Sequence, residues 1–313
     1  MISAHFDDFA SLEEIIRGWD IELNQLDAGS FEADVTQLVT SSLLMSEFAF
    51  SRRLEQRGAI PEGYRTFGIP ASGNLSMRWR GKDLCSENLM LFPTGAELDC
   101  VSDPGFNAIG LSISEPTLEE AAERRGVASV DELFPDGDTV WCAPAPRRRL
   151  RGLGKRLMDA AARDPDVLHN PWFRLSLEEH FVETLLLTLD SSRAIEDQRP
   201  MTHTRQTALK NALEVIAEHA DEPLQITELE RLSGASGRTL RYAFQEEFGV
   251  SPVQYLHAFR MNRVFRRLRQ DRSPGLTVAE VAKTGGFWHM GQFAANYRKM
   301  FGELPSKTIA RTR

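Results

Sequence analysis

The chain has 313 residues, a formal net charge of −8 and 42% hydrophobic residues. This length is enough for two domains that each bury a core, and the composition is ordinary for a globular protein. No segment reaches the roughly 18–20 consecutive apolar residues of a membrane helix, and the acidic start MISAHFDDFASLEE does not resemble a secretory signal. The sequence therefore predicts a two-domain protein of the cytoplasm without a membrane partner.

Three cysteines, Cys85, Cys100 and Cys142, are too few and too scattered for a disulfide framework or a CxxC metal site. We expect them to be small buried side chains in a reducing compartment. No metal or cofactor is predicted.

Residues 29–114 contain short segments in which apolar and polar residues alternate, as is typical of β-strands. These segments are FEADVTQLV (31–39), YRTFGIP (64–70), LSMRWRG (75–81) and NLMLFPTG (88–95). The turn sequences SGN (72–74), RGKD (80–83) and DPGF (103–106) lie between the apolar segments. This pattern predicts a β-sandwich or a small β-barrel.

Helical patterns follow at 117–126, 146–165 and 172–190. The last of them has an apolar residue at every fourth position: Phe173, Leu177, Phe181, Leu185 and Leu189. This stripe could pack within its domain, but we expect it to form the contact between two copies of the chain in a homodimer. The aperiodic segment 191–204 contains a proline and is predicted to be the linker between a domain at 1–190 and one at 205–313.

The charge of the chain is divided unequally between its two parts. Residues 201–313 contain 17 Lys and Arg against 11 Asp and Glu, whereas residues 1–200 contain 20 against 34. A basic domain on an acidic chain is typical of a protein that binds a polyanion.

Residues 226–249 predict a helix-turn-helix. Thr227 is expected to cap a short helix, Gly234 permits the turn, and Ser236 is expected to cap a second helix. On the second helix, one face is apolar at a four-residue step and the other has long polar side chains. A recognition helix needs this arrangement, although an ordinary amphipathic surface helix has the same period.

The segment SPVQYLHAFRMNRVFRRLRQ (251–270) predicts one uninterrupted helix, capped by Ser251. A helix of about 19 residues spans roughly 28 Å, against about 34 Å for one turn of B-DNA. Such a rod can hold two recognition helices in successive major grooves. Its arginines are expected to be solvated or to pair at the edge of the core: Arg260, Arg263, Arg266, Arg267 and Arg269.

Residues 277–302 repeat the plan of the first motif. Thr277 is the expected cap and Gly285-Gly286 the expected turn. The following helix has Phe293, Tyr297 and Phe301 at a four-residue step. The sequence therefore predicts a second helix-turn-helix.

Two helix-turn-helix units joined by one helix are the arrangement of the AraC/XylS family of bacterial transcription regulators, which the chain resembles over roughly residues 205–310. The most specific residues are GFWHMGQFAANYRKMFGELPS, with Gly286-Phe287 at the turn and Phe301-Gly302 and Pro305 at the end. Trp288-His289 and GQFA look like the subgroup that contains ethanolamine-utilisation regulators. The resemblance implies an N-terminal cupin-like β-barrel that binds an effector, and helices that dimerise.

The predicted DNA-binding residues are Arg238, Thr239, Arg241, Tyr242 and Gln245 in the first motif, and His289, Gln292, Arg298 and Lys299 in the second. Opposite the core, the second recognition helix has Gly291 and Ala295, which permit close approach but offer no side-chain hydrogen bonds. We therefore expect the first motif to distinguish bases and the second to hold phosphates.

In the β-rich domain, Phe67, Met77 and Trp79, with Leu75, either line an effector pocket or belong to the apolar core. Arg78 and Arg80, on the opposite face, are expected in solvent.

A metal-dependent cupin enzyme would need clustered His and carboxylate ligands. No H-x-H pair exists, and the histidines before residue 200, His5, His169 and His180, lie outside the 29–114 region. No G-x-S-x-G, P-loop or GxGxxG motif is present. These observations argue against an enzyme.

The sequence predicts an α+β protein in which a cupin-like β-barrel or sandwich with packed helices precedes an all-α double helix-turn-helix domain. The predicted function is that of a sequence-specific regulator controlled by a small-molecule effector. Promoter DNA is the expected partner, and RNA polymerase is a further candidate. The alternatives are a regulator controlled by a protein partner or by its abundance, and a cupin-type enzyme fused to a DNA-binding domain.

Overall fold

The computed structural model describes residues 2–16, 19–71, 76–92, 97–135, 137–164, 170–194, 201–220, 224–271, 273 and 275–311. The predictions for the turn at 72–74, for Leu75, for His169 and for the linker at 195–200 lie outside these residues.

The N-terminal part is built from β-strands with four helices among them. The strands are β1 (Ile2–Phe6), β2 (Asp20–Gln25), β3 (Ala33–Val39), β4 (Leu43–Phe50), β5 (Leu54–Ala59), β6 (Tyr64–Pro70), β7 (Ser76–Trp79), β8 (Lys82–Cys85), β9 (Asn88–Leu91), β10 (Glu97–Ser102), β11 (Phe106–Ser114), β12 (Thr139–Cys142) and β13 (Ser192–Ala194). The helices are α1 (Phe9–Ile15), α2 (Glu115–Arg125), α3 (Pro144–Arg163) and α4 (Pro171–Asp190).

The C-terminal part is helical. Its helices are α5 (His203–Glu218), α6 (Ile226–Ser233), α7 (Gly237–Phe248), α8 (Pro252–Gln270), α9 (Val278–Thr284), α10 (Met290–Phe301) and α11 (Pro305–Ala310).

The strands form a sandwich of two sheets whose neighbouring strands are antiparallel. One sheet has the order β1-β3-β4-β11-β6-β9-β12-β13 and the other β2-β5-β10-β7-β8. The predicted fold class, an α+β protein with an N-terminal β-sandwich and a C-terminal helical domain, is confirmed.

The alternation along β11 separates two hydrophobic cores on opposite faces of the larger sheet. Phe106 and Ala108 belong to a core that takes residues from both sheets and continues into the C-terminal helices. Ile109 and Leu111 belong to a second core that joins this sheet to α2, α3 and α4. The N-terminal domain and the C-terminal helices therefore share one continuous apolar core.

The apolar stripe of α4 packs inside the second core. Phe181 and Leu185 are fully buried there, and Leu189 is nearly so. These three side chains are therefore not accessible to a second copy of the chain, which corrects their predicted role in dimerisation. Leu177 packs against the same core and Phe173 is partly exposed. The other exposed apolar side chains of α4 are those of Trp172, Leu175 and Leu187.

The predicted linker begins and ends in regular structure. Ser192–Ala194 form β13, which pairs with β12, and α5 already begins at His203. Met201 is buried in the first core. The segment is thus attached to both domains at its described ends.

Two of the three cysteines have the expected environment. Cys100 and Cys142 are buried, and burial raises the pKa of the Cys142 thiol to about 12. Cys85 is exposed, contrary to expectation, because it is at the end of β8 with its side chain directed outward. Within the described residues, no helix has both the length and the apolar character needed to cross a bilayer.

Candidate nucleic-acid interface

The first helix-turn-helix is formed by α6 and α7. Gly234 ends α6 in the left-handed conformation with φ of 67°, and the Ser236 side chain accepts a hydrogen bond from the Thr239 backbone N–H, as predicted for a cap. The expected cap at Thr227 is wrong. The structure begins α6 at Ile226 with Gln225 as the capping residue, so Thr227 lies within the first turn.

The two faces of α7 differ as the sequence predicts. Leu240, Phe244 and Phe248 are buried. The exposed residues on the other face are Arg238, Arg241, Tyr242 and Gln245, and Thr239 is half-buried with its hydroxyl 2.9 Å from that of Ser236. Long donors and acceptors are thus presented on one side of a helix of 12 residues.

Tyr242 is flanked by two guanidinium groups. The Cζ atoms of Arg205 and Arg238 lie 5.1 and 5.7 Å from the centre of its ring. Arg205 also pairs with Glu246 at 3.1 Å. These cation–π contacts orient the ring at the exposed surface of α7.

The second helix-turn-helix is formed by α9 and α10. Thr277 and Glu280 form a reciprocal capping box at the start of α9, and Gly286 adopts φ of 79° in the turn. Phe293, Tyr297 and Phe301 are buried. The predicted cap, turn and apolar face of this motif all appear in the structure.

The outer face of α10 has smaller side chains than that of α7 and is therefore flatter. Gly291 is exposed, and a Cβ at this position would meet nothing within 4 Å. Ala295 is exposed beside it, and Gln292 is bonded to Asn296 at 2.8 Å. The cations on this helix, Arg298 and Lys299, are exposed in its last turn.

Trp288 and His289 stand at the start of α10. His289 is the residue before the helix and its side chain makes no capping bond, whereas Trp288 is 67% exposed. Phe287 is turned inward instead, with its ring 5.2 Å from that of Phe293 and the Arg260 guanidinium 5.5 Å from its centre. Two exposed rings are therefore presented between the turn and the helix.

Helix α8 joins the motifs and is not a free rod. Its buried Tyr255 hydroxyl donates to both oxygens of Glu55 on β5, at 2.8 and 3.0 Å. Its buried Asn262 side chain accepts from the Gln25 backbone N–H at 3.0 Å and donates to the Gln25 carbonyl at 2.8 Å. The amide of Asn262 thus extends the edge of β2 in the manner of a neighbouring strand.

The arginines of α8 divide between the two expected environments. Arg266 pairs with Glu13 at 2.8 Å, and Arg269 pairs with Asp8 at 3.2 Å, both across the boundary between the domains. Arg267 stays on its own domain, next to Thr284 and Asp271. The first two belong to the interface with the N-terminal domain, so they are not available to phosphates.

The N-terminal domain also holds the end of each recognition helix. At α7, Arg78 of β7 donates to Glu247 at 2.8 Å. At α10, the Gln25 side-chain amide and the Gly29 backbone N–H both donate to the Met300 carbonyl, at 2.7 and 3.0 Å. The expectation that Arg78 lies in solvent is wrong, because its side chain, 11% exposed, is covered by the first motif.

Burial at these contacts perturbs three acid groups. It raises the pKa of the Glu55 carboxyl, which is partly offset by Arg57 at 2.7 Å and by the bond from Tyr255. Burial also raises the pKa of the Tyr255 hydroxyl and of the Glu247 carboxyl, the latter opposed by Arg78. The two domains therefore meet through charged groups removed from water.

The predicted effector residues are not brought together. Phe67 is buried in the second core, whereas Met77 and Trp79 are buried in the first. The Trp79 indole N–H donates to the Asp138 carbonyl at 3.0 Å, and its ring lies 4.4 Å from that of Phe92. These three residues are packed core, which corrects the proposal of a pocket that they line.

Among the residues that the structure describes, no cluster of three or more His, Cys, Asp or Glu side chains is placed to hold a metal ion. His5 bonds to Asp34 at 2.8 Å across β1 and β3, which raises its pKa.

Sequence reasoning missed the contacts that attach the motifs to the N-terminal domain. The only local signal is polarity at buried positions of α8, where Tyr255 and Asn262 lie among apolar residues. Arg205 was also missed, because its contact with Tyr242 joins two helices of the folded domain.

Residues 229–311 match a family described as a helix-turn-helix domain. This part of the chain is a helix-turn-helix domain. It is similar to the probable thc operon regulatory protein of Rhodococcus erythropolis, with 33% identity over 98 residues, which are 31% of this chain and 30% of that protein. It is also similar to the XylDLEGF operon transcriptional activator 1 of Pseudomonas putida, with 27% identity over 135 residues, 43% of this chain and 41% of that protein.

Among solved structures, a probable AraC family transcriptional regulator from Rhodopseudomonas palustris has 36% identity and a TM-score of 0.31. The match covers 34% of this chain and 97% of that one. The chain spans 30% and 41% of the length of the two curated relatives. The family match and the curated relatives support the AraC-type helix-turn-helix domain, and the ethanolamine-utilisation subgroup stays a prediction.

Proposed function

We propose that the chain is a transcription regulator of the AraC type that binds promoter DNA with α7 and α10. The observation that carries this proposal is the repeated helix-turn-helix, whose two recognition helices are joined by the 19-residue helix α8 and expose their polar faces. A helix of that length suits two successive major grooves on one side of a duplex.

The two motifs divide the recognition of DNA. Arg238, Arg241, Tyr242 and Gln245 on α7 supply donors and acceptors for base edges, with Thr239 beside them. His289, Gln292, Arg298 and Lys299 on the second motif contact the backbone, while the small face of α10 fits closely into the groove. Phosphate contacts of this kind give affinity and orientation without reading sequence.

The N-terminal domain controls this activity in response to a small molecule. Support comes from the contacts at both recognition helices, the Arg78–Glu247 pair at α7 and the Gln25–Met300 bond at α10. A ligand that binds one arrangement of the domains more tightly than another shifts the balance between them, and with it the affinity for DNA. Control by a protein partner or by abundance is the alternative.

We place the second copy of a homodimer against the exposed apolar residues of α4, which include Trp172, Leu175 and Leu187. A dimer would present two pairs of recognition helices to repeated half-sites. RNA polymerase bound at the same promoter is the further partner proposed for an activator, and the protein would act in the cytoplasm.

Selection of bound duplexes from a random pool, followed by hydroxyl-radical footprinting, tests the DNA proposal. We expect an enriched sequence with two protected regions on one face of the duplex, about 10 base pairs apart. A pool with no enrichment, or a footprint confined to one groove, would contradict it.

A further inference from the structure

A cleft of about 170 Å³ lies between the N-terminal domain and the second helix-turn-helix. Phe9 and Phe31 line it from the N-terminal side, and Phe265 and Phe301 from α8 and α10. The Phe9 ring lies 4.8 Å from that of Phe265 and 6.1 Å from that of Phe301. The cleft therefore has aromatic walls contributed by both domains. Its volume is similar to that of engineered cavities, of about 150 Å³, that accept benzene.

Gln25 lines this cleft and has an incomplete set of hydrogen bonds. Its Nε2 atom lies 2.8 Å from the carbonyl oxygens of Asp27 and Gly29 and 2.7 Å from that of Met300. Three acceptors around one atom identify it as the nitrogen of the amide, because the amide oxygen could donate to none of them. The Oε1 atom is buried and has no hydrogen-bond partner among the described residues.

An unpaired acceptor in this position is costly. Gln25 is 0% exposed, and a buried acceptor without a partner destabilises the fold, because it has lost its bonds to water and gained none in return. A ligand that supplies an N–H or O–H donor would remove that cost. The same amide holds the carbonyl at the end of α10, so the bond would be made next to the anchor of a recognition helix.

The charges around the cleft favour a cation. Carboxylates line it at Asp7, Asp8, Glu32 and Glu303, whereas its cations are Lys307 and Arg311. Arg311 lies within 4 Å of three of these carboxylates and Lys307 pairs with Glu303, while Asp8 also binds Arg269 from α8. The fourth carboxylate, Glu32, has no cationic partner within 4 Å among the described residues, although its charge contributes to the raised pKa of His5 in the same cleft. His5 also lines the cleft, and its imidazole is bonded to Asp34.

We propose that this cleft binds a small organic ammonium ion with an apolar part about as large as a benzene ring. An N–H of the ligand donates to Gln25 Oε1, its positive charge is balanced by Glu32, and its apolar part lies against the four phenylalanine rings. The inference builds on the proposed regulator, because it names the chemical class of its effector. Binding at a boundary between the domains, next to Met300, couples the ligand to the position of α10.

The test compares three probes that share a ring and one carbon but differ in the attached group: benzylamine, benzyl alcohol and benzoate. Thermal unfolding of the full chain without DNA should show a Tm that rises with benzylamine concentration. The alcohol keeps the ring and an O–H donor but has no charge, so it should need a roughly fivefold higher concentration for the same rise in Tm. The acid should leave the Tm unchanged, because its carboxylate is repelled by those that line the cleft. Equal stabilisation by the alcohol or the acid, or no response to benzylamine, would overturn the proposal.

Variants locate the binding site. Glu32→Gln should weaken benzylamine binding roughly fivefold in calorimetric titration, the equivalent of about 1 kcal/mol for one charge contact. Glu62→Gln removes an equal charge from an exposed position outside the cleft and should leave the affinity unchanged. If both variants bind as the parent does, the cleft is not the site.

Gln25→Leu deletes the acceptor and should abolish the response to benzylamine. This variant also removes the hydrogen bonds of Nε2, so circular dichroism must first show that it folds. If it is unfolded, Glu32→Gln alone decides whether the cleft is the binding site. All of these measurements are made without DNA, so they test ligand binding separately from DNA binding. A chain that binds benzylamine but no duplex would refute the regulator, whereas one that selects a promoter sequence but ignores benzylamine would refute only the cleft.

Discussion

The two helix-turn-helix motifs have the same local plan but different outer faces. Both recognition helices have 12 residues and end in Phe-Gly, at Gly249 and Gly302, with the glycine in the left-handed conformation. The first exposes Arg238, Arg241 and Tyr242, whereas the second exposes Gly291 and Ala295. The glycine turn and the apolar face are common to both motifs and fix their shape, whereas the exposed side chains that could contact DNA differ.

The anchors of the two motifs differ as well. The N-terminal domain holds α7 through the charged pair Arg78–Glu247, but it holds α10 through the neutral amide of Gln25 and the backbone of Gly29. A Cβ at Gly302 would collide with Ser30, so the domain also approaches the end of α10 too closely for any side chain there. The end of α10 is therefore held by neutral groups, whereas the end of α7 is held by a charged pair.

The largest expected effect comes from breaking the contact between Asn262 on α8 and the backbone of Gln25 on β2. Asn262→Leu keeps the size of the side chain but leaves the buried N–H and C=O of Gln25 without partners. At about 1–3 kcal/mol for each of the two groups, the free energy of unfolding should fall by about 2–6 kcal/mol. Urea denaturation of the variant and the parent measures this difference in the free energy of unfolding.

A matched change on α5, at a side chain that bonds the first motif, is the control for this variant. Asn211 makes one bond of 3.3 Å to the Ser233 carbonyl and is only half-buried, so Asn211→Leu should cost about 1 kcal/mol or less. If the two variants lose equal free energies of unfolding, the contact of Asn262 with Gln25 is no stronger than an ordinary surface bond.

The features of the two motifs that the sequence predicts are those that depend on residues close together along the chain. Ser236, Ser251 and Thr277 cap their helices as expected, since a cap involves residues only three positions apart. Thr227 fails because capping residues also occur inside first turns, where the sequence alone does not fix the helix start. The apolar period of each recognition helix is equally local and was predicted correctly.

The attachments between domains could not be predicted in this way. Glu55 and Tyr255 are 200 positions apart, and the period of α8 marks Tyr255 as buried without naming its partner. For the candidate effector site, alternation correctly places Met77 and Trp79 inward. It does not distinguish a side chain that lines a cavity from one that is packed, because both have the same period.

The next largest effect should separate base recognition from phosphate contact. Replacing Arg238 and Arg241 by alanine should cost about 1–3 kcal/mol per residue on the selected duplex and relax its sequence preference. Replacing Arg298 and Lys299 should weaken all duplexes alike and reduce the slope of log affinity against log salt by about 1 per contact. Fluorescence anisotropy at several salt concentrations gives both quantities.

The control for the DNA variants lies on α3, where Arg148 and Arg149 are exposed and outside both motifs. Their replacement by alanine removes the same charge and should leave the affinity and the salt slope nearly unchanged. If the changes in the two motifs relax sequence preference to the same extent, the proposed division between them is wrong.

A smaller effect should appear with pH at the Arg78–Glu247 pair that holds the end of α7. Burial raises the pKa of Glu247 in the folded chain above its usual value of 4.5. At a pH between the usual and the raised pKa, the folded chain therefore binds more protons than the unfolded chain. Stability relative to Glu247→Gln should therefore increase as the pH falls from 7 towards 4.5. Urea denaturation of both proteins across this range measures the difference. A difference that shrinks as the pH falls would contradict the sign.

The smallest effect tests whether the flat face of α10 enters the groove. Gly291 has a helical conformation and open space around it, so Gly291→Ala should stabilise the fold by about 0.5 kcal/mol. If α10 approaches DNA as closely as proposed, the added methyl group should nevertheless weaken binding to every duplex by a similar factor. Denaturation and anisotropy on the same preparation measure the two effects. A variant that is more stable and binds DNA as tightly as its parent would show that α10 stays outside the groove, which would leave α7 as the only helix that contacts bases.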